Sequence, residues 1–269
     1  KTFFHIHFAY DALKYYQYRF TGQASVLYYK AYKENVNTAP QGGRDMTGFI
    51  IYFTLLSIVH LFFCYFGMHT PRKLTKPLLL TSLAACYACA AKPVDGAVLA
   101  ALICGLAGDI LLIWEKNDKF FIPGALSFTL GHGLYALSIF RRTPGATQSH
   151  LITAAVFIAA YIAVVAYMSF RLEKHVDDKK LRILMPVYLS IVAAVNVFAW
   201  VNLVARINSG EGRFYAALIT LGSMLFLTSD TILARCMFVR DVERPNFPVM
   251  ITYIPAQALL CFGYIGLGA

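Results

Sequence analysis

The sequence is poor in charge: only 14% of its 269 residues are Asp, Glu, Lys or Arg. A soluble globular domain carries about 25%, so an ordinary soluble fold is excluded, and an apolar content of 58% excludes a disordered or collagen-like chain. Acidic residues are the scarcer sign, 14 against 24 basic, which leaves a formal charge of +10. That excess does not point to nucleic acid. Lys and Arg come in short clusters between long apolar runs, as they do at the cytoplasmic ends of membrane helices. Six cysteines spread over the whole length exclude a small disulfide scaffold. Cys86-x-x-Cys89 lies inside an apolar run with no second pair, so it reads as packing rather than a redox or zinc site. The histidines well inside the apolar runs are His60 and His132, with His5 and His7 near the N-terminus. These are too few for a zinc hydrolase, and neither a metal nor a cofactor is expected.

What the sequence has in abundance is apolar runs of about 20 residues, the length a helix needs to cross roughly 30 Å of hydrocarbon. Eight occur, at approximately 48–68, 77–92, 96–114, 120–140, 149–170, 183–205, 213–234 and 247–268. The expected fold class is therefore all-α, a polytopic membrane bundle of eight transmembrane helices. The second run is short and rich in small residues (Ala84, Ala85, Ala88, Ala90, Ala91), which suits burial among other helices. Residues 1–47 are aromatic but interrupted by Asp11, Lys14, Arg19, Lys30 and Lys33. They read as an N-terminal extra-membrane or interfacial arm ahead of a membrane domain over 48–268. The chain begins at Lys1, as a fragment or processed product would, and shows no ordered signal peptide. The loops after runs one, three, five and seven hold thirteen Lys and Arg, and the loops between hold five. The positive-inside rule thus places both termini on the lumenal or outer side.

An ionisable residue inside a span is costly and marks function by default. The acids that qualify are Asp109, in the third run, and Asp230, in the seventh. These two helices point the same way in an alternating bundle, and each aspartate precedes its helix end by about four to six residues. The two carboxyls therefore belong at one depth. Polar groups near the starts of the oppositely directed helices reach that level too: Lys76, Tyr188, Tyr253 and Gln257, with His132 and Asn196 somewhat deeper. Tyr253 and Gln257 share a helix face, as do Phe128 and His132, and Tyr135 follows His132 by one turn. Gly105 and Gly108 allow a close approach to the backbone ahead of Asp109. Such a pocket lets two coupled carboxyls divide acid and base roles. Plainer readings exist for each group: a lone Asp as hydrogen-bonding glue, Tyr188 as an interface anchor, and Lys76-Pro77 as a helix start.

The stretches Lys76-Pro77-Leu78, Gly108-Asp109-Ile110-Leu111-Leu112, Ser127-Phe128-x-x-x-His132-x-x-Tyr135, Pro186-x-Tyr188, Ser229-Asp230 and Tyr253-x-x-Ala256-Gln257 occur in this order. Together they resemble the motifs of the YhhN-like lysoplasmalogenase family across roughly residues 48–268. The resemblance implies an integral membrane hydrolase, of the endoplasmic reticulum, that cleaves the vinyl ether bond of lysoplasmalogens to a fatty aldehyde and glycerophosphoethanolamine or glycerophosphocholine. Asp109 and Asp230 would be the catalytic pair. Lys76, His132, Tyr135, Tyr188, Asn196, Tyr253 and Gln257 would bind substrate, with Lys76 attracting the phosphate. The partners are then a lysoplasmalogen lipid and the membrane, with no nucleic acid. Two other readings stay open. Gly105-Leu106-Ala107-Gly108-Asp109 is near the G-x-G-D motif of intramembrane aspartyl proteases, but the motif's first glycine is missing, Leu106 standing there, and Ser229, not Tyr, precedes Asp230. In a proton-coupled transporter or lipid-binding membrane protein the aspartates would carry protons without bond cleavage.

Overall fold

The computed structural model describes residues 41–114, 118–145, 148–173, 179–238 and 246–268. Of the arm expected over residues 1–47, residues 1–40 lie outside them. The chain divides into two units, Lys1–Thr47 and Gly48–Ala269. Eight α-helices make up the described residues: α1 (Gln41–Tyr65), α2 (His69–Ala90), α3 (Gly96–Leu111, continued by a 3-10 turn over Leu112–Trp114), α4 (Asp118–Arg142), α5 (Gln148–Glu173), α6 (Lys179–Ser209), α7 (Arg213–Phe238) and α8 (Asn246–Gly268). No strand occurs among the described residues. The protein is a polytopic helical membrane bundle.

Seven of the eight helices are long and apolar enough to cross a bilayer, and α2 is the exception. All eight helices expected from the apolar runs are present among the described residues, and the count of seven rests on length and composition alone. Helix α2 starts at His69 rather than near residue 77, so its first two turns carry Arg72, Lys73 and Lys76 and dilute the alanine-rich remainder. Pro77 accordingly sits inside α2 and not in its first turn.

Connections of a few residues force sequential helices to run antiparallel. In space α2, α3, α4, α6, α7 and α8 form a closed ring, each packed on the next and α8 returning to α2. Helix α5 leans on α6 and α7 from outside, and none of its most apolar stretch is buried. The faces left outward on α1 and α5, such as Leu55, Ile58, Phe62, Leu151, Ile162 and Phe170, are apolar and fit a hydrocarbon solvent. Lipid tails are as apolar as leucine, so close packing and interhelical hydrogen bonds hold the ring together. Helices α7 and α8 approach closely at Gly222: a Cβ there would lie 3.0 Å from the Ala256 carbonyl oxygen.

The end of the ring opposite the aspartates is closed by a polar knot. Asp95 caps α3 by accepting from the Ala97 N–H at 2.9 Å, takes the Ser138 hydroxyl at 2.6 Å, and pairs with Arg142 at 3.3 Å. Arg142 in turn donates to the Tyr264 carbonyl, while Arg206 donates to the carbonyl of Arg142. The knot thereby ties α3, α4, α6 and α8 to one another. Burial pushes the Asp95 carboxyl up, but the Ser138 hydroxyl, the Ala97 N–H and Arg142 outweigh it and hold the group below the usual carboxylate range.

Candidate active site

Antiparallel order brings the beginnings of α2, α4, α6 and α8 to the level of the ends of α3 and α7. There the ring encloses a cavity of about 90 Å³, room for a few waters or a small substrate group. Each helix of the ring contributes: Arg72 and Lys76 from α2, Asp109 from α3, Phe121, Ala125 and Phe128 from α4, Tyr188 and Leu189 from α6, Ser229 and Asp230 from α7, and Asn246 and Tyr253 from α8. Leu184, Met185, Leu233, Val249 and Met250 add an apolar wall. Pro77, Pro186 and Pro255 each stand within two residues of a lining side chain, Lys76, Tyr188 and Tyr253 respectively. Each removes one backbone N–H and so one rung of its helix ladder beside the cavity.

The two aspartates line the same cavity in different company. Asp109 is 1% exposed and Asp230 7%. The Lys76 ammonium lies 3.2 Å from Asp109 Oδ1, and the Tyr253 hydroxyl donates to Oδ2 at 2.8 Å. Asp230 takes the Tyr188 hydroxyl at 2.5 Å, and no Lys or Arg among the described residues pairs with it. One carboxylate therefore has a cation and a phenol, the other a phenol alone. Gly108 makes the floor possible, because the Phe128 ring occupies the space of its missing side chain: a Cβ at residue 108 would meet ring atoms at 2.6 Å. Phe128 stands edge-on to Phe226 and Tyr253, which fixes the Tyr253 ring against the cavity.

The other residues singled out in the sequence fall in two groups. Gln257 and Tyr135 form a second layer behind Tyr253: Gln257 donates to the Tyr253 hydroxyl at 3.3 Å, and the Tyr135 hydroxyl donates to Gln257 at 3.5 Å. His132 is also behind the wall. Its Nδ1 is 2.7 Å from the Phe128 carbonyl, its ring is edge-on to Phe226 and Tyr188, and its buried Nε2 has no partner. Asn196 stands apart from the cavity. Its amide donates to the Val192 and Ser223 carbonyls and its oxygen accepts from the Tyr161 and Ser223 hydroxyls, a knot joining α5, α6 and α7. Two polar lining residues, Arg72 and Asn246, are absent from the sequence expectation. Arg72 lies between the first and second apolar runs, although its four-residue spacing from Lys76 is the signal of a shared helix face. Asn246, which accepts from Arg72 at 2.6 Å, gave no signal at all.

A family model described as the YhhN family matches residues 71–264, more than half of the chain and every helix that lines the cavity. The chain is similar to the human protein named lysoplasmalogenase TMEM86A (Homo sapiens), with 25% identity over 175 residues, 65% of this chain and 68% of that one. It is similar as well to mouse lysoplasmalogenase TMEM86B (Mus musculus), with 28% identity over 160 residues, 60% of this chain. The chain spans 59% of the length of the mouse relative. No solved structure matches.

Proposed function

Because this chain belongs to the YhhN family, we propose that it is a membrane hydrolase that cleaves the vinyl ether bond of lysoplasmalogens, with Asp109 and Asp230 as its acid and base. The relatives named lysoplasmalogenase support the substrate class. The observation that carries the chemistry is that two buried carboxyl groups with unlike partners line one cavity among apolar helix walls. A vinyl ether is hydrolysed by protonating its β-carbon and adding water to the resulting oxocarbenium ion. That sequence needs one proton donor and one proton acceptor.

The partners support a division of roles. Asp109, beside the Lys76 ammonium, is the ionised member and the base; Asp230, with no cation, carries the proton and is the acid. Asp230 gives its proton to the β-carbon, the double bond electrons form the new C–H bond, and positive charge develops at the ether carbon. The carboxylates face that charge in a water-poor cavity, where electrostatic stabilisation is strongest. Water adds to the cation as Asp109 accepts its proton. The hemiacetal then collapses: its hydroxyl proton passes to Asp230, the C–O bond breaks, and the leaving glycerol oxygen takes the proton held by Asp109. Aldehyde and glycerophospho base leave, and both carboxyls return to their starting states. Gln257 and Tyr135 act through Tyr253, holding its hydroxyl toward Asp109. The apolar wall receives the alkenyl chain, and the membrane of residence is proposed as the endoplasmic reticulum.

The test is release of fatty aldehyde from lysoplasmenylethanolamine by purified protein in detergent, with an ester-linked lysolipid as control. Aldehyde from the vinyl ether and none from the ester is the expected result. Folded wild-type protein that releases no aldehyde overturns the reading and leaves proton-coupled transport, measured as solute uptake into proteoliposomes, in its place.

A further inference from the structure

The cavity holds a second cation whose role the proposed chemistry leaves unassigned. Arg72 is 8% exposed, lines the cavity four residues before Lys76, and donates from Nη1 to Asn246 Oδ1 at 2.6 Å. Its Nε is buried without a partner, and no carboxylate among the described residues pairs with it. A buried guanidinium held by one neutral amide is costly unless an anion completes it. Lys76 is differently placed, since its ammonium is engaged by Asp109. A planar guanidinium also matches phosphate oxygens better than an ammonium does, because it can donate two parallel hydrogen bonds. Both residues sit near the beginning of α2 and line the cavity beside its apolar wall.

We propose that Arg72, oriented by Asn246, binds the phosphate of the lysolipid, and that Lys76 serves Asp109 instead. This rests on the lysolipid reading above and replaces the expectation that Lys76 is the phosphate ligand. Asn246 is a positioning residue: by accepting from Nη1 it fixes the guanidinium plane beside the cavity, with Nε still unpartnered. The recognised chemistry is a phosphate with an alkyl chain attached, which separates a lipid site from a site for free phosphate.

The test uses probes that cannot be hydrolysed, so that it stays independent of the aldehyde assay. Binding of a saturated-ether alkyl glycerophosphocholine, of the matching alkylglycerol without phosphate, and of inorganic phosphate is measured by calorimetry on the full chain in maltoside micelles. Wild type is expected to prefer the phospholipid to the alkylglycerol by about tenfold or more, the range for a charge-assisted hydrogen bond. Arg72→Gln should erase that preference while alkylglycerol binding stays, and Arg72→Lys should restore part of it. A full preference surviving in Arg72→Gln overturns the proposal. If Arg72→Gln does not fold, Asn246→Ala decides: a preference reduced at least threefold with alkylglycerol binding intact supports the proposal, and an unchanged preference overturns it. Arg72-dependent binding of inorganic phosphate, with no preference for the phospholipid over the alkylglycerol, also overturns it. An inactive wild type that keeps the Arg72-dependent preference would sink the hydrolase reading alone.

Discussion

The Lys76 ammonium lies 3.2 Å from the Asp109 carboxylate, joining the second turn of α2 to the end of α3 with side chains only 12% and 2% exposed. Taking one partner away leaves the other as an uncompensated buried charge, which costs about 3–5 kcal/mol. Lys76→Met should therefore lower thermal stability in detergent more than Lys76→Met combined with Asp109→Asn does. A double variant no more stable than the single one would show that the pair is not coupled.

Asp109→Asn and Asp230→Asn should each lower aldehyde release by about 10²–10⁴-fold, the usual contribution of a positioned acid or base. Removing both should cost little more than removing one, because groups that act as a unit are far from additive. The check is the steady-state rate of aldehyde formation by variants whose unfolding temperatures stay near wild type. Retained activity in both single variants would keep the hydrolase and discard the pair.

Gly108→Ala should push the Phe128 ring out of its seat. Overpacking of this kind costs about 1–3 kcal/mol, and Phe128 buttresses Tyr253, so activity should fall together with stability. Phe128→Leu in the Gly108→Ala background vacates the contact and should recover part of the lost stability. Unfolding temperatures of the three proteins test this directly.

The Asp95 knot predicts a pH dependence with a definite sign. Its carboxyl is held below the ordinary value, which is about 3.9 for an unperturbed Asp. The native state therefore binds its proton less readily than the unfolded state. The stabilisation is fully present above the unfolded value and is lost as the pH falls from about 4 through the folded value. Unfolding temperatures of wild type and Asp95→Asn between about pH 6 and pH 3 should converge at the acid end. A constant gap would assign the stabilisation to packing alone.

Asp109 and Asp230 were legible from the sequence because an ionised side chain inside an apolar run is expensive, and a run of fixed length fixes its depth. The same depth argument placed Lys76, Tyr188 and Tyr253 at that level, and these three line the cavity with the aspartates. Asn196 was read by the same rule, yet its polarity is spent on Tyr161, Val192 and Ser223. Depth says how far along the helix a group lies, not which neighbour it faces. Arg72 was hidden because hydropathy ends a span at its first charges, whereas the backbone of α2 continues through them to His69.

By itself, then, the sequence determined the all-helical membrane class, the approximate place of each helix and the residues too polar to be left in lipid. Those are properties of local composition and of the 1.5 Å rise per residue. Only the tertiary structure decided that α2, α3, α4, α6, α7 and α8 close into a ring, that Lys76 belongs to Asp109, and that Tyr188 belongs to Asp230. Such pairings depend on the rotation of each helix about its axis. In a membrane that rotation is set by close contacts such as those at Gly108 and Gly222 and by hydrogen bonds between helices, for which hydropathy along one chain carries no signal.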